Sequence, residues 1–197
     1  MPRINARMTV IPALRDPRQE AWLPRPARGR WVFVVRSALG EVSAQVARLQ
    51  VLGWRVGLHV DTVRGLDGST ESLHFLACHA RPDAVISTRP QLIRMAANMG
   101  FVTIERMFLI DGLAVKEGII RVQQSGPTMV EVLPGTMPEI VAEVAVALTQ
   151  PVIAGGLVTR PHDILALERA GALAASTSTP GLWHWGRVSV GGEDGTK

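Results

Sequence analysis

The stretch VIAGGLVTRPHDILALERAGALAASTS at residues 152–178 decides the fold, because it holds a complete strand–helix–strand unit. Its two short apolar runs, residues 152–153 and 173–175, lack polar alternation, which is typical of strands buried on both faces. Between them Pro161 opens a helical pattern that runs to Ala170 and stops at Gly171. This order predicts a right-handed crossover between parallel strands.

The same rhythm recurs along the rest of the chain. Six further apolar runs predict strands at residues 9–11, 31–35, 54–60, 84–86, 101–104 and 129–133. Apolar residues at helical spacing follow several of these runs and form four stripes, each of which predicts one helix. The stripes are Val42, Val46, Leu49 and Leu52; Leu73, Leu76 and Ala77; Leu92, Ala96 and Met99; and Ile140, Val144 and Leu148.

Eight strands that alternate with helices predict an α/β fold, a single-domain (β/α)8 barrel of the TIM type. Such barrels typically have about 250 residues, whereas this chain has 197, so we expect a trimmed barrel. Its first helix, near residues 16–23, and its last, near 181–185, should be short. A doubly wound open sheet is the alternative, but the glycine-rich turn that usually follows its first strand is missing.

Composition narrows the class of protein. The chain is 47% hydrophobic and 19% charged, which indicates a globular domain, predicted over residues 1–189 with a disordered tail at 190–197. Cys78 is the single cysteine, so an intrachain disulfide and a four-thiolate zinc site are excluded. We find no 18-residue apolar run and no secretory signal, and therefore expect a cytoplasmic protein without membrane contact.

Positive charge is concentrated at the start of the chain. Residues 1–36 hold eight arginines (3, 7, 15, 18, 25, 28, 30 and 36) but only two carboxylates, Asp16 and Glu20. Arginine binds phosphates through two parallel hydrogen bonds, so this region is a candidate for contact with nucleic acid. An arginine-rich solvated face that binds nothing is the simpler interpretation.

In a barrel of this kind, polar residues at the carboxyl ends of the strands build the functional site. The last two strands end in the paired glycines Gly155 and Gly156 and in the hydroxyls of Ser176 and Thr177. Phosphate sites frequently use the loops after strands seven and eight, because glycines let backbone N–H groups approach the oxygens. These four residues predict a phosphate site; a tight turn and a helix cap without ligand is the alternative.

Other strand ends carry ionisable side chains. His59 and Asp61 follow the third strand, and one of them is expected to point into the barrel mouth. Glu131 needs a partner if it faces inward, and either a polyol hydroxyl or an ion pair with Arg106 would satisfy it. We see no metal-binding pattern, no acid–base pair and no strand-end lysine, so neither a catalytic residue nor a metal or cofactor is predicted.

Several blocks of the chain are similar to one bacterial family. They are HVDTVRGLDGSTESLHFLA (59–77), AVISTRPQLIRMAANMGFVTIERMFLIDGLAV (84–115), VEVLPGTMPEIV (130–141) and VIAGGLVTRPHDILALERAGALAASTSTPGLW (152–183), preceded by VIPALRD (10–16). In this order they resemble the glycerol uptake operon antiterminator regulatory proteins. The resemblance covers most of residues 10–183 and is specific, because generic phosphate-binding barrels do not share this combination.

The resemblance implies a barrel that senses glycerol 3-phosphate and binds a leader mRNA, which regulates glycerol uptake and catabolism genes by antitermination. Carried over by position, Gly155, Gly156, Ser176 and Thr177 would hold the phosphate. Asp61, Glu131 and Arg106 would face the glycerol part. The RNA-binding residues are not identified, although the N-terminal arginines are candidates, and a homo-oligomer could enlarge the basic surface.

One loop departs from the family, and one alternative function stays open. After the second strand, relatives tend to carry a glycine and an acidic residue, whereas this chain has Arg36 and Ser37. A ligand role for this loop is therefore in doubt. The alternative is a phosphate-binding-barrel enzyme, an isomerase or lyase, acting on a small phosphorylated metabolite.

Overall fold

Eight parallel strands form a closed barrel in a computed structural model of the protein, which describes residues 8–25 and 29–185. Consecutive strands are hydrogen-bonded neighbours, and the eighth strand closes the barrel against the first. The predicted (β/α)8 fold is therefore confirmed. The strands are β1 Thr9–Leu14, β2 Trp31–Val34, β3 Arg55–His59, β4 Ala84–Ser87, β5 Val102–Phe108, β6 Met129–Leu133, β7 Val152–Gly155 and β8 Ala174–Thr177.

Helices surround the barrel, one after each strand from β2 to β7. They are α1 Leu39–Val51, α2 Thr70–Phe75 with a further π-helical turn at Leu76–Ala80, α3 Pro90–Asn98, α4 Gly112–Ser125, α5 Pro138–Ala147 and α6 Pro161–Arg169. Single 3-10 helices, Pro17–Trp22 and Pro180–Leu182, follow β1 and β8. The expected trimming at the first and last helices is thus confirmed.

Helix α4 is missing from the sequence predictions. Its limits carry ordinary signals: the Asp111 side chain accepts a hydrogen bond from the Ala114 N–H at 2.8 Å, and Gly126 ends the helix with φ +64°. Gly118 interrupts the middle of the helix, and the terminal methyl group of Met107 on β5 packs into the space that a Cβ there would occupy. The glycine therefore serves close packing between helix and strand.

The lower part of the barrel interior is apolar. Ile11, Phe33, Ile104 and Ile153 are buried together inside it. Gly57 of β3 makes room for the Phe33 ring, whose Cδ1 would lie 2.7 Å from an added Cβ. Polar side chains concentrate towards the carboxyl ends of the strands, at the end of the barrel that we call the carboxyl face.

A small parallel ladder adds to this face. After β2 and β3 the chain forms the two-residue strands Ser37–Ala38 and Val63–Arg64, in which Ser37 pairs with Val63 and Ala38 with Arg64. The ladder brings the loop after β2 against the loop after β3. The predicted tail at 190–197 lies outside the described residues. Within residues 8–25 and 29–185, no helix is both long and apolar enough to cross a membrane.

Candidate functional site

A cavity of about 190 Å³ opens on the carboxyl face. Its wall comes from the ends of β1, β2, β5 and β6 and from the loops after β7 and β8. The lining residues are Ala13, Arg15, Val35, Arg106, Glu131, Leu133, Gly156, Leu157, Val158, Thr159, Ser176, Thr177, Ser178 and Thr179. Five of the seven predicted ligand residues are among them; Gly155 and Asp61 are not.

A buried ion pair forms the floor of the cavity. Glu131 is 1% exposed, and one of its oxygens lies 2.7 Å from both Nε and Nη2 of Arg106. Its other oxygen accepts a hydrogen bond of 2.6 Å from the Ser176 hydroxyl. The ion pair left open by the sequence is thus present. Nη1 of Arg106 donates to no group among the described residues, which leaves donors for a ligand.

Close packing around this pair explains the paired glycines. A side chain at Gly155 would collide with the Ser176 hydroxyl and reach to 3.0 Å from Glu131 Oε1. On the other side, the Gly135 N–H donates to the carbonyl oxygens of Gly155 and Gly156 at 2.5 and 3.1 Å. Gly155 therefore acts behind the cavity wall, where it lets Ser176 meet Glu131.

The loop after β7 has an unusual backbone. Gly156 and Leu157 both have positive φ, +72° and +59°, and the Leu157 side chain projects outwards with 70% exposure. A left-handed conformation costs a non-glycine residue about 1 kcal/mol or more, and such strain concentrates at binding sites. Both residues line the cavity.

The loop after β8 is tied to the same segment. The Thr177 hydroxyl donates to the Val158 carbonyl at 2.6 Å and accepts from the Thr179 N–H at 3.0 Å. Because a hydroxyl has a single hydrogen, those of Ser176 and Thr177 are already committed to Glu131 and Val158. Both hydroxyls shape the cavity, and the donors that remain for an anion come from elsewhere on its wall.

Arg15 is the cavity residue that the sequence predictions missed. Strand β1 continues past Pro12 to Leu14, so Arg15 stands at a strand end like the residues that were predicted. The proline hid this continuation, because it interrupts the β-branched run. Arg15 is exposed, and its guanidinium makes no ion pair or hydrogen bond within the described residues. It adds a free cation to the rim.

Asp61 lies in a separate cluster that we call the Asp61 clamp: Asp61, Ser87, Thr88 and Arg89. The Asp61 carboxylate accepts hydrogen bonds from the Ser87 hydroxyl, the Thr88 N–H and hydroxyl, and Arg89 Nε, at 2.7–3.0 Å. Burial raises the pKa of Asp61, but these donors outweigh it and hold the pKa below its usual value. The clamp ties the turn after β3 to the end of β4.

The loop before α2 covers the clamp. Arg89 donates to the Asp67 carbonyl at 3.0 Å, and a side chain at Gly68 would collide with its guanidinium. Ser69 caps the helix by accepting from the Ser72 N–H at 3.1 Å. The polar side chains of this loop therefore serve local structure.

His59 is buried between the cavity and the clamp. Its Nδ1 lies 3.1 Å from the Thr62 hydroxyl. Burial and, next in size, the charge of Arg106 lower the pKa of His59 to about 4, although the charge of Asp61 acts in the opposite direction. The imidazole is therefore neutral at physiological pH.

Glu105 and Trp183 also lie near strand ends, but both have structural partners. Glu105 points outwards from β5, opposite to Arg106, and binds Arg121 of α4 at 2.9 Å and the Ser125 hydroxyl. Trp183 is fully buried and donates to the Thr177 carbonyl at 2.9 Å, so it packs and does not stack on a base. Across the described parts of the chain, no group of histidine, cysteine and carboxylate side chains is placed to hold a metal.

Residues 10–183 match the family model described as glycerol-3-phosphate responsive antiterminator. A crystal structure of the glycerol uptake operon antiterminator regulatory protein from Listeria monocytogenes is 30% identical, with a TM-score of 0.84 over 94% of this chain and 98% of that chain. A related protein from Thermotoga maritima is 29% identical, with a TM-score of 0.79 over 89% and 98% of the two chains.

A relative from Escherichia coli K12, the uncharacterized protein YgcP, is 30% identical over 174 residues, which are 88% of this chain and 91% of the relative. An aldolase structure with 12% identity and a TM-score of 0.66 shares the fold alone. The family match spans most of the chain and includes every strand around the cavity. The chain therefore belongs to the glycerol-3-phosphate responsive antiterminator family.

Proposed function

We propose that the protein senses glycerol 3-phosphate in the cavity of the carboxyl face and, in response, binds a leader mRNA to control transcription of glycerol uptake and catabolism genes. The composition of the cavity carries this proposal. Its wall holds the unpaired Arg15 and the loop after β7 with its strained backbone, and its floor is the buried Glu131–Arg106 pair. Its volume of about 190 Å³ suits a molecule smaller than the ligands of ordinary pockets, which begin near about 300 Å³.

The phosphate fits the rim formed by Arg15 and the loops after β7 and β8. Arg15 supplies the cation, and Gly156 and Ser178 bring backbone and hydroxyl groups to the same wall. Ser176 and Thr177, predicted to hold the phosphate directly, contribute in this proposal by fixing Glu131 and Val158.

The glycerol part fits the floor. A polyol hydroxyl can donate to Glu131 and accept from the free Nη1 of Arg106, which a hydrocarbon ligand cannot do. Asp61 takes no part in this arrangement, because its carboxylate is occupied by the clamp and does not line the cavity.

The same geometry favours binding over catalysis. Glu131 is held by a cation and a hydroxyl, and His59 is buried, with its pKa lowered to about 4. Neither group is poised to exchange a proton with a substrate near neutral pH. A sensor needs only a difference in ligand affinity between two states.

Thermal unfolding tests the ligand directly. Glycerol 3-phosphate at about 100 times its Kd should stabilise the protein by about 2.7 kcal/mol, whereas glycerol and inorganic phosphate at the same concentration should give much smaller shifts. The R15Q variant should keep the melting temperature of the free protein and weaken glycerol 3-phosphate binding about tenfold or more, by loss of a charge-assisted hydrogen bond.

R94Q is the matched control, since Arg94 is exposed on α3 and away from the cavity. It should bind like the parent protein. In vitro transcription through a glycerol-operon leader should then show ligand-dependent readthrough of the terminator. Absence of any shift with glycerol 3-phosphate would refute the sensor, and its chemical conversion during incubation, followed by NMR, would establish an enzyme.

A further inference from the structure

A second concave surface lies beside the cavity, and we call it the arginine cleft. It has a volume of about 510 Å³ and is lined by Arg15, Asp16, Pro17, Arg36, Ser37, Glu41, Thr62 and Arg64. The two-residue ladder builds it, because pairing of Ser37–Ala38 with Val63–Arg64 brings Arg36 and Arg64 onto one surface. Arg15 lines both this cleft and the cavity.

The charge of the cleft is positive and largely uncompensated. Arg15, Arg36 and Arg64 are exposed and make no ion pair among the described residues. Of the two carboxylates, Asp16 is bound by Arg18 at 2.7 Å, which leaves Glu41 as the remaining acidic group of the lining. Three free guanidinium groups on one surface attract a polyanion.

Ser37 gives an independent sign of a missing partner. The residue is 8% exposed and lines the cleft, and its hydroxyl has no hydrogen-bond partner within the described residues. Such unsatisfied buried groups are uncommon and call for an explanation, since each costs about 1–3 kcal/mol. A ligand oxygen that accepts from this hydroxyl would supply the missing bond.

The amino end of α1 adds to the same preference. Ala38 precedes this 13-residue helix and offers no side-chain cap, so the first N–H groups have no capping partner there. Both Ser37, just before the helix, and Glu41, in its first turn, line the cleft. Free N–H groups and the helix dipole favour an anion at this end.

We propose that the arginine cleft binds the phosphodiester backbone of RNA, with Arg36, Arg64 and Ser37 as contacts and Arg15 shared with the ligand cavity. This proposal rests on the proposed function, because it assigns the RNA surface of the sensor. The cleft is wider than the cavity and draws its cations from three separate strand ends, so it suits successive phosphates better than one small anion. It also gives a role to the Arg36–Ser37 pair in the loop after β2.

Binding of a fluorescein-labelled glycerol-operon leader RNA, measured against salt concentration with saturating glycerol 3-phosphate, tests the proposal. Replacing two phosphate contacts in R36Q/R64Q should reduce the slope of log K against log salt by about 1.4 for single-stranded RNA. The control R94Q/R169Q loses the same charge at exposed helix positions outside the cleft and should keep the parent slope. Both variants should keep the thermal shift with glycerol 3-phosphate.

The S37A variant tests whether RNA binding uses a specific hydrogen bond in the cleft in addition to its positive charge. Removing an unsatisfied buried hydroxyl should leave the melting temperature unchanged or raise it, yet weaken RNA binding about tenfold with the same salt slope. If the parent binds RNA and both R36Q/R64Q and S37A bind it equally well, the cleft proposal is wrong while the proposed function stands. If the parent shows the glycerol 3-phosphate shift but binds no RNA, the RNA part of the proposed function and the cleft fail together.

Discussion

The two halves of the carboxyl face look alike in sequence but differ in how their polar groups are used. At β3 and β4, the Asp61 carboxylate is surrounded by Ser87, Thr88 and Arg89, so the clamp is closed on itself. At β5 and β6, Arg106 and Glu131 also pair, but they line an open cavity with unpaired donors on its wall. From this difference we expect a strand-end carboxylate to contact a ligand only where its partners leave space beside it.

The largest expected loss of stability comes from removing one partner of the ion pair in the cavity floor. E131A leaves Arg106 buried without a partner and should lower the free energy of unfolding by about 4 kcal/mol, measured by urea denaturation. The double variant R106M/E131A removes both charges and should recover most of that loss. A double variant as unstable as E131A alone would mean that the cost comes from the lost Ser176 contact and the emptied volume.

The buried histidine between the two halves should make stability depend on pH. The pKa of His59 is about 4 in the folded protein against 6.5 for the free group, so the unfolded chain takes up a proton first. Stability should therefore fall as pH drops below about 6.5, by up to about 3 kcal/mol near pH 4. At pH 4.5 Asp61 is still ionised, because its pKa is lowered.

The measurement compares melting temperatures at pH 7 and pH 4.5. H59N should show a smaller loss on acidification than the parent protein, because the group that takes up the proton is gone. H74N, at an exposed position of α2, should behave like the parent. An equal loss in the parent and H59N would assign acid sensitivity to other groups.

Breaking the clamp should affect stability without affecting the ligand. D61N removes the charge that binds Arg89 and should cost about 2 kcal/mol, since charge-assisted hydrogen bonds at a half-buried site are lost. The thermal shift with glycerol 3-phosphate should be kept. E71Q, an equal charge change at the exposed start of α2, is the control and should change neither quantity. Loss of ligand binding at an unchanged melting temperature would return Asp61 to the ligand site.

The fold was predictable because buried strands and their helices leave local signals. All eight predicted apolar runs fall on barrel strands, and of the six α-helices in the described residues α4 was missed, where Gly118 interrupts the apolar pattern. For the site, the sequence could predict only which residues lie at the carboxyl ends of strands. Adjacent residues on one strand point to opposite sides, so whether Glu105 or Arg106 faces the cavity depends on the pleat.

The partners of each strand-end group could not be predicted, because they come from other strands. Asp61 finds its donors on β4 and its neighbouring loop, and Glu131 finds Arg106 on β5 and Ser176 on β8. Arg15 was missed for a local reason, since Pro12 conceals the last part of β1. Which hydroxyls are free to donate also depends on contacts between distant segments, as Thr177 and Val158 show.

The pairing of β1 with β8, which closes the barrel, has a consequence for local unfolding. β1 and β8 are the first and last strands of the barrel, so their pairing closes the longest loop between paired strands. It therefore has the highest loop-closure entropy cost among the strand pairs. A ligand held by Arg15 on one side and by Ser178 on the other would bridge this seam. A higher concentration of that ligand would then raise the resistance of the seam to local unfolding.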